Sequence, residues 1–183
     1  MSLQDKVDEA NKSEYSASGG GWFKTKEGAN SIRVLCEPEV IFEDYKMGIC
    51  YTGCNFKGSP KYLTYVLDRA DGAVKLYKLP YGIFQSMAVF EKDEDTKFEG
   101  FPMPYDLKIH AVGAGTKDVK YTVTPSPKLV LVVEDVMASL TKKKSVKEMV
   151  EILKAKNKEK HAGDVGVPIE DSAEGASGDE PAF

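Results

Sequence analysis

The chain has 183 residues, of which 42% are hydrophobic and 30% charged, which suits one compact domain with extensions. No stretch approaches the roughly 18 consecutive apolar residues that a membrane helix needs, and the first residues lack the apolar segment of a secretory signal. Three cysteines, an odd number without a disulfide framework, favour a reducing compartment. We therefore expect a cytoplasmic protein that has no membrane partner.

Charge is segregated along the chain. The net charge of −4 averages over unlike parts: residues 141–161 hold eight lysines against three glutamates, and residues 162–183 hold six acids with no lysine or arginine. Because segregation says more about partners than the sum does, the negative total does not exclude a nucleic-acid partner.

The first predicted elements are a flexible segment and a strand. Residues 1–21 are polar and end in glycines, which predicts a flexible lead. Residues 31–36 alternate as a strand, residues 40–45 continue extended structure, and residues 51–60 read as a loop punctuated by glycine and proline.

A β-hairpin is the clearest local prediction. Residues 61–68 and 73–79 are both rich in β-forming residues, and Asp71 and Gly72 between them suit the positive φ angles of a tight reversal. Pro80 then stops the second strand.

The remaining elements are a helix, two strands and a second helix. Residues 81–91 have the apolar spacing of a short amphipathic helix, and residues 105–112 and 119–124 read as strands. Residues 128–136 are apolar and read as a last strand or a packed connection, and residues 145–160 as a helix with one apolar side.

The order of these elements predicts the fold class. Strand, strand, strand, helix, strand, strand is the order of an OB-fold, in which a helix lies between strands 3 and 4. We therefore expect a mainly β protein with a five-stranded OB-fold-like barrel, a C-terminal helix and a disordered acidic tail. The predicted divisions are a flexible segment 1–21, a barrel domain 22–140, a basic helix 141–161 and a tail 162–183.

Alternation along the strands predicts which side chains face outward. One side of each barrel strand fills the interior and leaves the other for a ligand. Ile32, Val34 and Cys36, then Leu63, Tyr65 and Leu67, Val74 and Leu76, Leu107 and Ile109, and Tyr121 and Val123 are the sets predicted to point inward.

The opposite faces, with three residues before the first strand, mix rings and cations. Single-strand binders need this mixture, because cations follow phosphates and rings stack on unpaired bases. The candidate nucleic-acid-binding residues are Trp22, Phe23, Lys24, Arg33, Tyr62, Thr64, Lys75, Tyr77, Lys108 and Lys120. As the alternative, Tyr62 and Tyr77 form a cross-strand pair that only supports the hairpin. A register slip by one residue would exchange the two faces.

The tail ends in a distinctive group. Asp179, Glu180 and Pro181 precede a terminal aromatic residue, Phe183. A partner with an apolar pocket rimmed by lysine or arginine could capture the ring and the α-carboxylate together. The alternative is a tail that only solubilises the protein.

Two stretches resemble a known family. The runs 21–35 and 60–75, GWFKTKEGANSIRVL and PKYLTYVLDRADGAVK, resemble bacteriophage single-stranded DNA-binding proteins of the OB-fold type, over roughly residues 20–125. The end of the chain is similar to the acidic aromatic tip of such proteins. The resemblance implies a protein of the host-cell cytoplasm that coats and protects single-stranded DNA in replication, recombination and repair. It also implies that the tip recruits replication and recombination proteins, and that the tail competes with DNA.

Other sites are weaker. Cys50 and Cys54 have a spacing compatible with zinc, with Cys36 as a third ligand, but a buried thiol is the commoner fate of such a cysteine, so we expect no cofactor. No catalytic arrangement stands out, so we expect no enzyme. A protein–protein adaptor is the alternative function, and an RNA chaperone a third. Homo-oligomers stay open, and the basic helix could contact phosphates, dock the tail or form an ordinary surface.

Overall fold

The computed structural model describes residues 21–116, 118–129 and 134–162 and is mainly β. The strands are β1 (Gly28–Val34), β2 (Glu39–Asp44), β3 (Gly48–Ile49), β4 (Ser59–Asp68), β5 (Val74–Leu79), β6 (Tyr105–Val112) and β7 (Lys120–Leu129). The helices are α1 (Tyr81–Lys92), α2 (Glu134–Thr141) and α3 (Val146–His161).

All seven strands belong to one antiparallel sheet. Its order is β3-β2-β4-β1-β6-β7, with β5 paired to the other side of β4. β1 lies centrally because its two halves pair with different strands, β4 and β6. Within the described residues the sheet stays open between β5 and β7, so the mainly β class is confirmed and the closed barrel is not.

The predicted hairpin is present as β4 and β5. Gly72 adopts the positive φ of +70° that the turn requires. The Asp68 carbonyl accepts a hydrogen bond from the Gly72 amide at 2.8 Å, and the Asp71 carboxylate accepts one from the Ala73 amide at 3.0 Å. The turn is therefore held by its own side chain as well as by the backbone.

A short N-terminal segment covers the free edge of β5. The Phe23 amide donates to the Leu76 carbonyl at 2.8 Å, and the Leu76 amide donates to the Gly21 carbonyl at 3.2 Å. Trp22 forms a parallel bridge with Leu76. These contacts satisfy backbone groups that β5 would otherwise present at the opening of the sheet.

Apolar side chains form two cores, one on each face of the sheet. The first core lies under α1 and includes Ile32, Val34, Val66, Tyr77, Leu79, Ile83, Met87, Leu107 and Ile109. The second lies under α2 and α3 and includes Leu35, Ile41, Leu63, Tyr65, Leu67, Val74, Leu76, Val146, Met149 and Val150. The β4–β5 region is therefore buried on both sides.

This double burial overturns the predicted faces of β4 and β5. Leu63, Tyr65 and Leu67 are buried, but they lie in the core beneath the C-terminal helices and not with Ile32 and Val34. Alternation identifies the inner face only when the other face meets water. Here the more apolar face of each strand is the one that the helices cover.

Helix α3 was anticipated and α2 was not. α3 begins at a capping box, in which the Glu148 amide donates to Ser145 Oγ at 3.2 Å and the Ser145 amide donates to the Glu148 carboxylate at 2.8 Å. The Ser145 hydroxyl also donates to the Glu148 carboxylate, at 2.8 Å, and the bonds from the Ser145 hydroxyl and amide lower the pKa of Glu148. α2 occupies part of a stretch that we expected to be a strand or a connection, and it packs Val136 and Leu140 on the second core.

The far end of α3 is tied to the β2–β3 turn. Asn157 Nδ2 donates to the carbonyls of Met47 and Ile49, at 2.7 Å each, and His161 Nε2 lies 3.1 Å from the Met47 carbonyl oxygen. Gly48, at φ +77°, leaves no room for a Cβ beside the Asn157 side chain. The turn and the helix therefore hold each other in place.

Replacing Asn157 by alanine should lower the free energy of unfolding by roughly 1–3 kcal/mol, since two hydrogen bonds of about 0.5–1.5 kcal/mol each are lost. Urea denaturation measures the change. Glu159→Ala, on the exposed side of the same helix, is the matched control. Equal stabilities of the two variants would show that the Asn157 contacts do not hold the helix.

Candidate nucleic-acid interface

Four residues predicted to face a ligand are buried instead. The exposed fractions are 7% for Phe23, 1% for Arg33, 0% for Thr64 and 3% for Tyr77. Their predicted outward placement is therefore wrong, and none of them can stack on bases or reach phosphates in this structure. The predicted stripe of rings and cations along one barrel wall does not exist.

Arg33 is buried because it has an acidic partner. Its Nε donates to Asp106 at 2.7 Å and its Nη1 donates to the Met103 carbonyl at 3.0 Å. Arg69 binds the same carboxylate from the surface side. A buried charge needs such pairing, and the sequence alone gave no sign that Asp106 supplies it.

Thr64 and Tyr77 are buried with their hydroxyls bonded. Thr64 Oγ1 donates to the Cys36 carbonyl at 2.7 Å, and the Tyr77 hydroxyl lies 2.6 Å from Thr25 Oγ1. The Tyr77 ring meets Phe23 edge to face at 4.7 Å between centroids. Burial raises the pKa of Tyr77 far above its ordinary value, so this phenol stays neutral.

Trp22 and Lys75 are only partly exposed and are engaged within the protein. Trp22 packs on the second core, and Lys78 Nζ lies over its ring, 5.5 Å from the centroid. Lys75 binds Asp68 at 2.7 Å and also binds Asp71. Lys75 is therefore a cation already neutralised by two carboxylates.

Three predicted cations are exposed, as their predicted outward placement requires. They are Lys24, Lys108 and Lys120. Lys108 and Lys120 lie on the outer face of β6 and β7, which also exposes His110 and Thr122. This face is polar and cationic, but it carries no exposed aromatic ring.

Tyr62 belongs to a different surface, which we name the aromatic strip: Phe42, Tyr62, Tyr81 and Phe84. The Tyr62 ring stacks on Phe84 of α1 with centroids 3.6 Å apart and planes 7° apart, and lies 6.4 Å from the Tyr81 ring at 24°. Phe42 lies on the neighbouring strand, opposite Pro60, so it is a diagonal neighbour of Tyr62. Two strands, β2 and β4, and the first turn of α1 thus bring four rings to one surface.

The strip is open to solvent. Phe42 is 50% exposed and Tyr81 is 48% exposed, so each presents a ring edge or face to a ligand. The acids of β2 point the other way: Glu39 lies 3.6 Å from Lys147 of α3, and Glu43 binds Lys78. No carboxylate of Glu39 or Glu43 therefore repels an anion at the strip.

The segment 45–58, between β2 and β4, also combines rings and lysines. Its Tyr45 is 88% exposed, its Lys46 and Lys57 are exposed, and its Tyr51 and Phe56 rings meet edge to face at 6.2 Å. The segment begins directly after β2, three residues from Phe42, and ends at Gly58, which runs so close to the backbone of Glu43 and Phe42 that a Cβ would overlap it.

The carboxylate of Asp44, the residue directly before this segment, binds the backbone of the turn. Its carboxylate accepts hydrogen bonds from the amides of Met47 and Lys46, at 2.8 Å each. These contacts lower the pKa of Asp44. The Asp44 carboxylate therefore shapes the backbone at the start of the segment.

A sequence signal for this surface existed and was missed. Residues 45–67 contain five tyrosine or phenylalanine rings and three lysines, and not one aspartate or glutamate, in a chain with 29 acids. An acid-free run of rings and cations is typical of single-strand binders. The predicted strand at residues 61–68 covers only the last part of this run, and residues 51–60 were predicted only to form a loop.

The cysteines pair and do not form a metal cluster. Cys50 and Cys54 are joined by a disulfide within segment 45–58, contrary to the expected absence of a disulfide. Cys36 is a free thiol on the second core. Among the described residues no group of three or more histidine, cysteine or acidic side chains could hold a metal ion, so Cys36, Cys50 and Cys54 are not brought together as zinc ligands.

The proposed partner-binding tip, Asp179, Glu180, Pro181 and Phe183, lies outside the described residues, as do residues 1–20 of the segment predicted to be flexible. In the part that the structure describes, none of the helices has both the length and the apolar character needed to cross a membrane.

Comparisons with known proteins give no match. No protein-family model, no curated protein and no solved structure matches the chain. The resemblance to phage single-stranded DNA-binding proteins therefore stays a prediction that rests on the residues themselves.

Alkylation should distinguish the three cysteines. Without reductant, iodoacetamide at pH 8 should label one site slowly, Cys36, because burial raises the pKa of this thiol and makes its reactive thiolate scarcer. After reduction and unfolding, three labels at ordinary rates should appear by mass spectrometry. Three fast labels on the unreduced native protein would contradict both the disulfide and the burial of Cys36.

Proposed function

We propose that the protein binds single-stranded DNA with little base preference, through the aromatic strip and segment 45–58. The observation that carries this proposal is that exposed rings (Phe42, Tyr45 and Tyr81) occur with exposed lysines in the strip and in the segment that directly follows β2, while the carboxylates of β2 are bound within the protein.

The chemistry suits unpaired nucleotides. Every base has a flat face, so a ring can stack on any of them, and each stack contributes about 1–3 kcal/mol. Lys46 and Lys57 can follow the phosphates without reading the sequence. A duplex hides its base faces, so this surface favours single strands.

The connectivity of the strands supports the same proposal. We infer an OB-type sheet: β1 and β2 act as one long bent first strand, β4 and β5 as the second and third, and β6 and β7 as the fourth and fifth, with α1 between β5 and β6. OB-folds are often only partly closed, and the loop between their first two strands commonly binds oligonucleotides. Segment 45–58 occupies that position.

One departure from this fold bears on the location of the site. OB-folds also bind ligands on the outer face of their second and third strands. Here α2 and α3 cover that face with Val136, Leu140, Val146, Met149 and Val150. Single-stranded DNA would therefore bind on the aromatic strip and not on the covered face.

The wider role follows from the resemblance. As a proposal, the protein coats and protects single-stranded DNA in phage replication, recombination and repair, and the tip from Asp179 to Phe183 recruits replication and recombination proteins. No enzymatic activity is part of this proposal.

Titration of fluorescently labelled oligo-dT at low salt tests DNA binding. We expect Phe42→Ala and Tyr81→Ala to weaken binding roughly 5- to 100-fold each, because each removes one stacking ring worth about 1–3 kcal/mol. Both side chains are about half exposed, so the fold should tolerate the changes.

Val89→Ala is the matched control, since Val89 is an exposed apolar side chain near the other end of α1 from Tyr81. No binding by the unaltered protein below ~10 μM, a range in which non-specific contacts already operate, would end the proposal. Such a result would favour the adaptor alternative, in which exposed apolar groups such as Val40 and Phe42 contact a protein.

Removal of residues 164–183 should strengthen DNA binding at low salt, because a tethered polyanion competes with phosphates for the same lysines. The gain should shrink as salt rises, since screening weakens the competition. The same titration on full-length and shortened protein measures it. Equal affinities at low salt would show that the tail does not reach the binding surface.

A further inference from the structure

A surface pocket lies at the opposite end of β4 from the aromatic strip. It has a volume of about 260 Å³ and sits between the first half of β1 and the β4–β5 turn. Its lining residues are Phe23, Lys26, Ala29, Asn30, Ser31, Asp68, Arg69 and Ala70. The function proposed above does not use this pocket.

The pocket exists because β1 leaves β4. The two strands pair only over Ile32–Val34, and the Arg69 amide makes the last contact, at 3.0 Å to the Ser31 carbonyl. Before that point β1 pairs with β6 alone. The gap between β1 and the hairpin turn is therefore built into the pairing of the sheet.

The rim of the pocket is held by Asn30. Its Oδ1 accepts a hydrogen bond from the Lys26 amide at 2.9 Å, and its Nδ2 donates to the Lys26 and Gly28 carbonyls at 2.8 and 3.1 Å. These bonds fix the backbone that carries Lys26, whose own side chain is exposed. The lysine can therefore lean into the pocket from a rigid rim.

The guanidinium of Arg69 is oriented in the pocket wall. Nε and Nη2 donate to the two oxygens of Asp106, at 3.0 Å each, in a side-on pair. In a planar guanidinium this pair turns Nη1 away from the carboxylate. Nη1 is therefore available on the other side of the group as a double donor of fixed direction.

The charges around Arg69 do not cancel. Asp106 is shared between Arg69 and the buried Arg33, so one carboxylate faces two guanidinium groups. The other acid of the pocket, Asp68, has one oxygen bound to Lys75 at 2.7 Å and the other to the Ala70 amide at 2.9 Å. Lys75 also binds Asp71, so four cations (Arg33, Arg69, Lys75 and Lys26) face three acids (Asp106, Asp68 and Asp71), an excess of one positive charge.

A polar, cationic surface continues from the pocket. Ser31 and Ala29 on β1 are the register partners of Lys108 and His110 on β6, and Lys120 follows on β7. Lys108, His110 and Lys120 are exposed. An extended anion could leave the pocket along these side chains.

We propose that this pocket binds a phosphate group of the same nucleic-acid strand whose bases stack on the aromatic strip. The two N–H groups of Arg69 Nη1 and the Lys26 ammonium can donate to phosphate oxygens and match their charge, and Ser31 adds a hydroxyl at the wall. The inference rests on the proposed function and adds a second attachment point to it. Tyr62 on β4 and Arg69, the residue directly after β4, are seven residues apart, about 23 Å at 3.3 Å per residue, so only a strand of several nucleotides reaches both.

Oligonucleotide length tests this arrangement. The variants Arg69→Gln and Lys26→Gln are compared with Lys97→Gln, an exposed lysine beyond α1 that serves as the control. Affinity is measured for labelled oligo-dT of 4 and 16 nucleotides, the limits of the site sizes known for OB-folds, over a series of salt concentrations. Lys26→Gln alters only an exposed side chain, so it tests the pocket even if Arg69→Gln disturbs the fold.

We expect both variants to bind the 16-nucleotide strand more weakly than the control does. The slope of log affinity against log salt should become shallower by about 0.7 for each phosphate contact that is lost. The 4-nucleotide strand, held by the strip alone, should bind all three variants alike.

The same titrations distinguish failure of this inference from failure of the proposed function. If both pocket variants match Lys97→Gln on the long strand while Tyr81→Ala weakens it, the pocket inference is wrong and DNA binding stands. If the unaltered protein binds neither strand, both fail.

A calorimetric titration with thymidine monophosphate separates the two sources of a nucleotide phosphate. Weak or absent binding is expected, because a single nucleotide lacks the stacking contacts. The proposal is overturned if thymidine monophosphate binds the unaltered protein tightly and the Arg69→Gln substitution weakens this binding but leaves oligo-dT binding unchanged. The pocket would then take free nucleotides.

Discussion

The packing of α3 on β2, β3 and β4, with α2 on β5, is the contact on which the rest of this structure depends. Val146, Met149 and Val150 share a buried core there with Leu63, Tyr65 and Leu76. Apolar burial contributes about 25 cal/mol per Å² of surface removed from water, so a second core of this kind is a major part of the stability of a small domain. It also removes the middle of the sheet from any contact with a ligand.

With that face occupied, the surfaces left for recognition lie at the two ends of β4. At one end the strand emerges beside segment 45–58 and presents Tyr62 against α1. At the other end it turns at Asp68–Gly72 and parts from β1, leaving the pocket at Arg69. The two ends differ in chemistry, with rings at one and a fixed guanidinium at the other, and this division matches the two parts of a nucleotide.

Local features of the sequence predicted local structure well. Asp71–Gly72 specified the hairpin, the 81–91 periodicity specified α1, and the apolar side of residues 145–160 specified α3. Each of these signals is read within a dozen residues. The predicted faces of β4 and β5 were wrong because the partner of each face is distant in the chain: Leu63 meets Met149, and Val66 meets the α1 core.

The candidate site was harder to predict for the same reason. Arg33 looked like a surface cation because nothing near it in sequence is its partner; Asp106 is 73 residues away. Tyr62 was found from the sequence, yet its neighbours Phe42, Tyr81 and Phe84 come from two other elements, β2 and α1, that only the fold brings together. The absence of acids between Asp44 and Asp68 was legible without a structure, since it is a property of composition alone.

The bond pattern at Leu76 carries a consequence for self-association. Gly21 and Phe23 hydrogen-bond to Leu76 as a short additional strand would. They cover the edge of β5 that faces away from β4. An unshielded strand of apolar and basic residues is a template on which a second molecule can extend the sheet. Chains that begin after Phe23 would expose that template, so residues 21–23 help to keep neighbouring molecules apart.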